Sequence, residues 1–147
     1  MVEEERSIEK TEAINPLMAA LALAFWRMKG AFEREVGVSA GTWFSLAMLV
    51  EEDGVSQGEL GHKFEVDPSR TTRLAQRLER EGLLRRKRDP ADNRVVRLHV
   101  TEKGQRLIKA TQARRERFEN RIRRELSDKE LEEFRRVLGV VARVMKD

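Results

Sequence analysis

Residues 66–104 of the chain read VDPSRTTRLAQRLEREGLLRRKRDPADNRVVRLHVTEKG. Near the start, Asp67 is a good N-cap, and Pro68 is tolerated at the first helical position because its missing N–H would have no partner there. Gly82 is typical of the residue that follows a helix C-terminus. The sequence therefore predicts a helix over residues 68–81, followed at once by two extended runs.

The two extended runs, residues 83–88 and 95–100, flank a segment that is rich in turn formers, from Asp89 to Arg94. In the second run, Val96, Leu98 and Val100 alternate with the residues between them. One face of such a strand can pack on helices while the other meets solvent or a ligand. The pattern predicts a short β-hairpin directly after the helix.

Helices are predicted on both sides of this unit. Ser39 can cap a second helix, and Ser56 with Glu59 has the spacing of a capping box that opens a short third one. After the hairpin, Thr101 begins a long fifth helix, and a second capping box at Ser127 opens a sixth. The first helix carries an apolar stripe at three- and four-residue spacing: Ile14, Met18, Leu21, Phe25, Met28 and Phe32.

The last helix carries a similar stripe: Leu131, Phe134, Leu138, Val141 and Met145. A short central domain cannot cover both stripes, and an uncovered stripe needs a partner surface. We therefore expect a homodimer formed by the terminal regions. The alternative is that the two stripes pack on each other within one chain.

Composition bounds the function. The 147 residues suit one compact domain with helical extensions and exclude a large multidomain enzyme. The absence of Cys excludes disulfide scaffolds, thiolate zinc fingers and Fe–S clusters, and His62 and His99, the only histidines, do not by themselves make a metal site. No phosphate loop, nucleophile elbow or metal-ligand spacing is present, so we expect neither an enzyme nor a cofactor.

The charges near the N-terminus bear on the expected cellular location. The apolar residues 17–25 are followed too soon by Arg27 and Lys29 for a membrane span, and no secretion signal is visible. We expect a cytoplasmic protein with no membrane partner.

The positive charge is concentrated in one segment. Ten basic and four acidic side chains lie between Ser69 and Arg97, so this segment carries +6, whereas the rest of the chain carries −2. A confined excess of this kind suits a polyanion-binding surface. From charge alone, a solvated helix face is an equally good interpretation.

The order of helix, short break, helix and basic hairpin is that of a winged helix-turn-helix. A helix fits the major groove of DNA, where its N-terminal residues reach base edges and phosphates. The polar side chains of residues 68–81 that suit this role are Ser69, Arg70, Thr72, Arg73, Gln76 and Arg77.

The hairpin supplies a second set of candidate DNA contacts, which are Arg86, Arg88, Asp92 and Arg94. Arg94 at the tip can enter the minor groove, and Asp92 can hold its side chain extended. The alternative is a winged-helix module that binds RNA or a protein partner without operator specificity.

Several segments together resemble the MarR family of bacterial and archaeal transcription regulators. The resemblance rests on residues 57–61, 66–74, 78–86 and 89–104. In the last segment, Asp-x-Arg is followed by alternating apolar residues and Thr-x-x-Gly, which is the most specific part. The flanking helices agree with the family in length and order.

The resemblance implies a mainly α fold with a small β-wing, in which N- and C-terminal helices form the dimer. The expected domains are an N-terminal dimerisation helix over residues 1–38, a winged helix-turn-helix over 39–101, and C-terminal dimerisation helices over 102–147. It further implies a pseudo-palindromic operator on double-stranded DNA, usually repression, and often release by a small molecule.

The chain departs from the common family pattern at three points. Asn93 replaces the first of two consecutive wing arginines, so that only Arg94 carries over as the minor-groove reader. Gly61 stands where Ala is common, with no clear functional meaning at this level. The lack of Cys removes the thiol-peroxide sensing of one branch.

The resemblance also implies an effector pocket among the first, second and fifth helices. Aromatic and methionine side chains there suit a phenolic or other flat apolar ligand, although helical spacing predicts a simple core equally well. The candidate lining residues are Trp26, Phe32, Trp43, Phe44 and Met48.

Overall fold

A computed structural model describes residues 16–145 of the chain. Within that range it has six helices and a two-stranded hairpin, in the order that the sequence predicts. Ile14 and the acidic N-terminal residues lie outside the described range. The elements are α1 (Pro16–Val36), α2 (Ala40–Glu51), α3 (Gln57–Lys63), α4 (Pro68–Arg80), β1 (Leu84–Arg88), β2 (Val96–Val100), α5 (Glu102–Glu125) and α6 (Asp128–Val144).

The predicted helix starts are confirmed. The Ser39 hydroxyl accepts a hydrogen bond from the Thr42 amide, and Asp67 accepts one from the Arg70 amide. Capping boxes open α3 and α6 at Ser56 and Ser127. Gly82, just past the end of α4, has a φ of +72°, a left-handed conformation that glycine adopts without strain.

The hairpin is antiparallel, with Leu84 opposite Val100 at its base. Sequence patterns did not predict that the segment after α2 adds a partial third strand. The Leu98 amide donates to the Val55 carbonyl at 2.9 Å, and the Gly54 amide donates to the Leu98 carbonyl at 3.1 Å. The main buried cluster joins this small sheet to α2, α3 and α4 through Leu46, Leu49, Val55, Leu60, Ala75, Leu78, Leu83, Leu84 and Leu98.

A close backbone contact sets α5 against the hairpin. The amide of Thr101 donates to the Leu83 carbonyl at 3.1 Å, and its hydroxyl donates to the Gly82 carbonyl at 2.6 Å. A Cβ on Gly104 would lie 2.3 Å from the Leu83 oxygen. The Thr-x-x-Gly pattern is therefore required by packing, because only glycine fits at the fourth position.

The terminal helices pack unevenly. α1 lies against α5 through the ring contact of Phe32 with Phe118, 5.4 Å between centroids, and through an Arg121–Glu35 ion pair at 3.0 Å. α6 buries none of its residues. Within residues 16–145, the apolar stripes of α1 and α6 stay largely exposed, and none of the helices there is long and apolar enough to cross a membrane.

Candidate nucleic-acid interface and effector cavity

Helix α4 presents one buried face and one polar face, as the sequence predicts. Thr71, Ala75 and Leu78 are buried against the core. We call the exposed side of α4, with Ser69, Arg70, Arg73 and Gln76, the recognition face.

Thr72 differs from its predicted neighbours because it is partly buried. Its hydroxyl donates to the Pro68 carbonyl at 2.8 Å and accepts from Gln57 Nε2 at 2.7 Å. The side chain thus joins α4 to α3, the helix that braces it.

Local contacts orient the first turn of the recognition face. Arg70 Nε lies 3.2 Å from Asp67 Oδ2, and Arg73 Nη2 donates to the Ser69 hydroxyl at 3.2 Å. Hydrogen bonds from the Ser69 hydroxyl and the Arg70 amide hold the pKa of Asp67 below its ordinary value. These exposed contacts add little stability, but they leave two guanidinium groups at the N-terminus of α4.

The wing tip, residues 89–94, is held in shape by two aspartates. Asp89, only 11% exposed, accepts hydrogen bonds from the Ala91 and Asp92 amides and from the Arg97 guanidinium, which chiefly lowers its pKa. Both carboxylate oxygens of Asp92 accept hydrogen bonds from Arg94, one from Nε at 3.1 Å and the other from Nη2 at 3.3 Å. Arg94 itself is 92% exposed, so the clamp holds it extended into solvent.

Arg86 and Arg88, the other two predicted wing contacts, have partners within the fold. Arg86 is only 28% exposed, and its Nε donates to Glu79 at 2.8 Å, a contact that chiefly lowers the pKa of Glu79. Arg88 Nη1 donates to the Asn93 carbonyl across the hairpin end at 2.6 Å. Arg86 thus ties the hairpin to α4, and Arg88 closes the wing turn.

A cavity of about 420 Å³ lies between α1, α2, α4 and α5. Of the five predicted lining residues it contains Phe32 and Phe44, and it does not contain Trp26, Trp43 or Met48. The remaining lining residues, which sequence reasoning mostly missed, are Phe25, Met28, Lys29, Ala40, Gly41, Ser45, Leu60, Phe64, Val66, Thr71, Leu74 and Phe118.

The three excluded side chains occupy other environments. Trp26 is 64% exposed on α1, and Trp43 turns toward α5, where its Nε1 donates to the Thr111 hydroxyl at 3.0 Å. Met48 packs on the main buried cluster. Helical spacing alone could not separate these faces, because α2 is apolar nearly all round.

The two histidines lie apart. His99 Nδ1 faces Asp53 at 3.1 Å, whereas His62 is exposed at the end of α3. Among residues 16–145, there is no group of three or more acidic or histidine side chains that could hold a metal ion.

Comparison with known proteins identifies relatives for this geometry. A MarR family model matches residues 38–96. The chain is 32% identical over 113 residues to the HTH-type transcriptional regulator YdgJ of Bacillus subtilis (strain 168), a match that covers 77% of this chain and 67% of YdgJ.

Solved structures of transcriptional regulators have a similar fold. The PcaV regulator from Streptomyces coelicolor, in complex with its natural ligand, has a TM-score of 0.78 at 26% identity, and the match covers 89% of this chain and 92% of that one. The S. aureus MepR–DNA complex has a TM-score of 0.80 at 20% identity, covering 86% of this chain and 96% of MepR, which is a likeness of fold.

The fold of the chain agrees with the family of its relatives. The winged helix-turn-helix, the wing pattern and the flanking helices occur here in the order that the sequence resemblance implied. Proteins of this kind regulate transcription and are not enzymes. The chain belongs to the MarR family of DNA-binding, winged helix-turn-helix transcriptional regulators.

Proposed function

We propose that the protein is a homodimeric repressor that binds a pseudo-palindromic operator and is released from it by a small apolar effector. The observation that carries the DNA-binding part is the exposed Arg94 side chain, which two hydrogen bonds to Asp92 hold at the wing tip. A narrow loop with one projecting guanidinium suits the minor groove next to the major groove that α4 would enter. An operator-binding protein works beside the chromosome, so the cytoplasm remains the expected location.

Individual contacts can be assigned by chemistry. Arg70 and Arg73 offer forked donors for guanine edges or phosphates, and Ser69 and Gln76 offer adaptable polar groups. Arg94 is the proposed minor-groove reader. The exposure of these side chains in the fold supports the assignment.

Homodimerisation is supported by the uncovered apolar stripes. Met18, Phe25, Phe134 and Leu138 are each close to half exposed. An isolated chain seldom leaves so many large apolar side chains of two helices in water. Pairing of α1 and α6 from two chains would cover it, with domain boundaries near residues 38 and 101, and would set two recognition faces about one helical turn apart.

The effector site is supported by the position of the cavity. Its walls come from α1 and α5 on the dimer side and from α4 on the DNA side. A ligand that binds one spacing of these walls better than another shifts the distance between the two recognition faces. The lining is almost entirely apolar, and Lys29, the one cation among the described residues that line it, is paired with Glu33 at 2.9 Å, so the cavity suits a neutral, flat ligand.

Selection of bound duplexes from a random DNA pool tests the proposal. We expect a two-fold symmetric site that is bound with a steep salt dependence and roughly a thousandfold or more above nonspecific DNA. The matched control is the same duplex with about half a helical turn inserted between half-sites, which should lose most of the affinity of a dimer. Failure to enrich any sequence, or equal binding of the control duplex, would refute it.

Repression and release are tested on the selected duplex. The protein should block transcription from a promoter that carries the site. Neutral aromatic compounds added to the complex should then restore transcription and lower DNA affinity together. Activation of the promoter would contradict repression, and indifference to every apolar compound in a broad library would contradict the effector site.

A further inference from the structure

Arg77 differs from the other arginines of α4. Its Nη2 donates to the hydroxyl of Thr42 in α2 at 3.1 Å, whereas the side-chain hydrogen bonds and ion pairs that Arg70 and Arg73 make among residues 16–145 stay within the first turn of α4 and its cap. Arg80 has no hydrogen bond or ion pair within the described part of the chain. Arg77 is therefore the arginine of α4 that bonds to a different helix.

The acceptor is built into the fold. Thr42 is 6% exposed, and its hydroxyl also accepts from the Ser39 hydroxyl at 2.9 Å. Ser39 is the residue that caps α2, because its oxygen accepts from the Thr42 amide. The oxygen that Arg77 reaches is therefore held at a fixed place in the first turn of α2.

The bond joins two walls of the cavity. On α2, Gly41 and Ser45 line it on either side of Thr42 along the sequence. On α4, Leu74 lines it one turn before Arg77. Any occupant that pushes α2 away from α4 must lengthen the bond between Arg77 and Thr42.

We propose that Arg77 is a positioning residue, which fixes α4 to α2 through Thr42 and so couples occupancy of the cavity to the angle of the recognition face. This inference rests on the proposed function, because it concerns the same DNA and effector sites. Thr42 takes one of the five N–H donors of Arg77 and directs the guanidinium toward α2. The positioning role stands in place of the direct DNA contact that the sequence suggests for Arg77, and the salt dependence of binding decides between the two roles.

The test measures binding of the selected operator by three variants. Thr42→Val removes the acceptor without changing charge, Arg77→Met removes the donor, and the double variant removes both. We expect each single variant to bind about three- to tenfold more weakly, which is the size of one hydrogen bond. The double variant should be no weaker than Arg77→Met alone, because both changes break the same bond.

Two controls separate positioning from other effects. Thr42→Ser keeps the hydroxyl, so this variant should bind the operator with nearly wild-type affinity. Arg80→Met removes the same charge from the same helix without breaking a bond between helices, so its effect should simply add to that of Thr42→Val. A structural loss unrelated to the bond would not give this pattern.

The salt dependence of operator binding independently distinguishes a positioning role from a phosphate contact. A phosphate contact contributes about 0.9 to the slope of log affinity against log salt, whereas a positioning residue contributes none. A slope that falls by this amount in Arg77→Met, with unchanged binding by Thr42→Val, would overturn the proposal. If Thr42→Val did not fold, Arg77→Met would decide through its slope, since that site is exposed.

The outcomes also distinguish this inference from the proposed function. If the wild-type protein binds no duplex selectively, the proposed function fails. If the wild type binds its operator while the Thr42 and Arg77 variants act independently, only the positioning role fails.

Discussion

Replacing Gly61 by alanine should destabilise the protein, although alanine is the better helix former. Gly61 lies within α3 and faces Thr71 of α4. A Cβ at this position would meet Thr71 Oγ1 at 2.7 Å and the Val66 carbonyl oxygen at 3.2 Å. The Thr71 side chain cannot easily retreat, because it is buried and its hydroxyl donates to the Asp67 carbonyl at 3.1 Å.

The expected change in the free energy of unfolding combines two opposing effects. Overpacking of a filled core costs about 1–3 kcal/mol, and the helix propensity of alanine returns roughly 0.5–1 kcal/mol. We expect a net loss of about 0.5–2 kcal/mol for Gly61→Ala. Gly58→Ala is the matched control on the same helix, because its added Cβ meets nothing nearer than 4.0 Å, and it should be neutral or slightly stabilising.

A substitution at Thr71 tests whether the clash with its hydroxyl causes the loss of stability. Thr71→Ala removes the oxygen that the new methyl group would strike, at a cost of about 1–2 kcal/mol for the lost hydrogen bond and burial. In the double variant the methyl group occupies the vacated space, so the two changes should couple favourably by about 1 kcal/mol or more.

The assay is urea unfolding at one fixed protein concentration, since pairing of chains would make stability concentration-dependent. Free energies of unfolding for the wild type, both single variants and the double variant complete the cycle. Additivity within about 0.5 kcal/mol would refute the steric explanation.

Three further outcomes are expected. Arg94→Ala should weaken operator binding by about 1–3 kcal/mol without dissociating the proposed dimer, as measured by fluorescence anisotropy and sedimentation; wild-type affinity would show that the wing assignment is wrong. Gly104→Ala should cost about 3 kcal/mol or more in urea unfolding, because backbone atoms of Leu83 cannot move aside, and a loss under about 1 kcal/mol would contradict this packing. The pKa values of Asp89 and Asp92 lie below their ordinary 3.8, so the stability that these carboxylates give the wing should be complete above pH 3.8 and disappear as the pH falls through the lowered values. Acid titration of the Arg94 side-chain signal by NMR measures this, and loss of wing order well above pH 3.8 would be inconsistent with it.

Local chemistry explains why so much of the fold was predictable. The caps at Ser39, Ser56, Asp67 and Ser127 act within one turn, so their spacing is visible in the sequence. The glycine at position 82 similarly reports a local left-handed conformation. Such signals place helix starts and ends without any knowledge of the tertiary structure.

Long-range packing limited the prediction of the sites. The aromatic residues of α1 and α2 have similar spacing, but Phe44 lines the cavity while Trp43 bonds to Thr111 of α5. The partners of Arg77 and Arg86 also lie on other elements, so no local pattern could predict that these guanidinium groups are engaged inside the fold. The need for glycine at position 61 likewise depends on tertiary packing, because an added Cβ there would lie 2.7 Å from Thr71 Oγ1.

The outer edge of the wing has a consequence for behaviour at high concentration. An open strand edge invites a neighbouring molecule to add a strand, which is a common start of aggregation. Here β1 carries four consecutive cations, residues 85–88, and the Arg86 amide is already occupied by Glu79 at 3.0 Å. Electrostatic repulsion and a missing ladder donor therefore both discourage edge-to-edge stacking of crowded copies. Replacing these cations with neutral side chains would weaken attraction to a polyanion. The same change would remove the charge repulsion that discourages self-association through this strand edge.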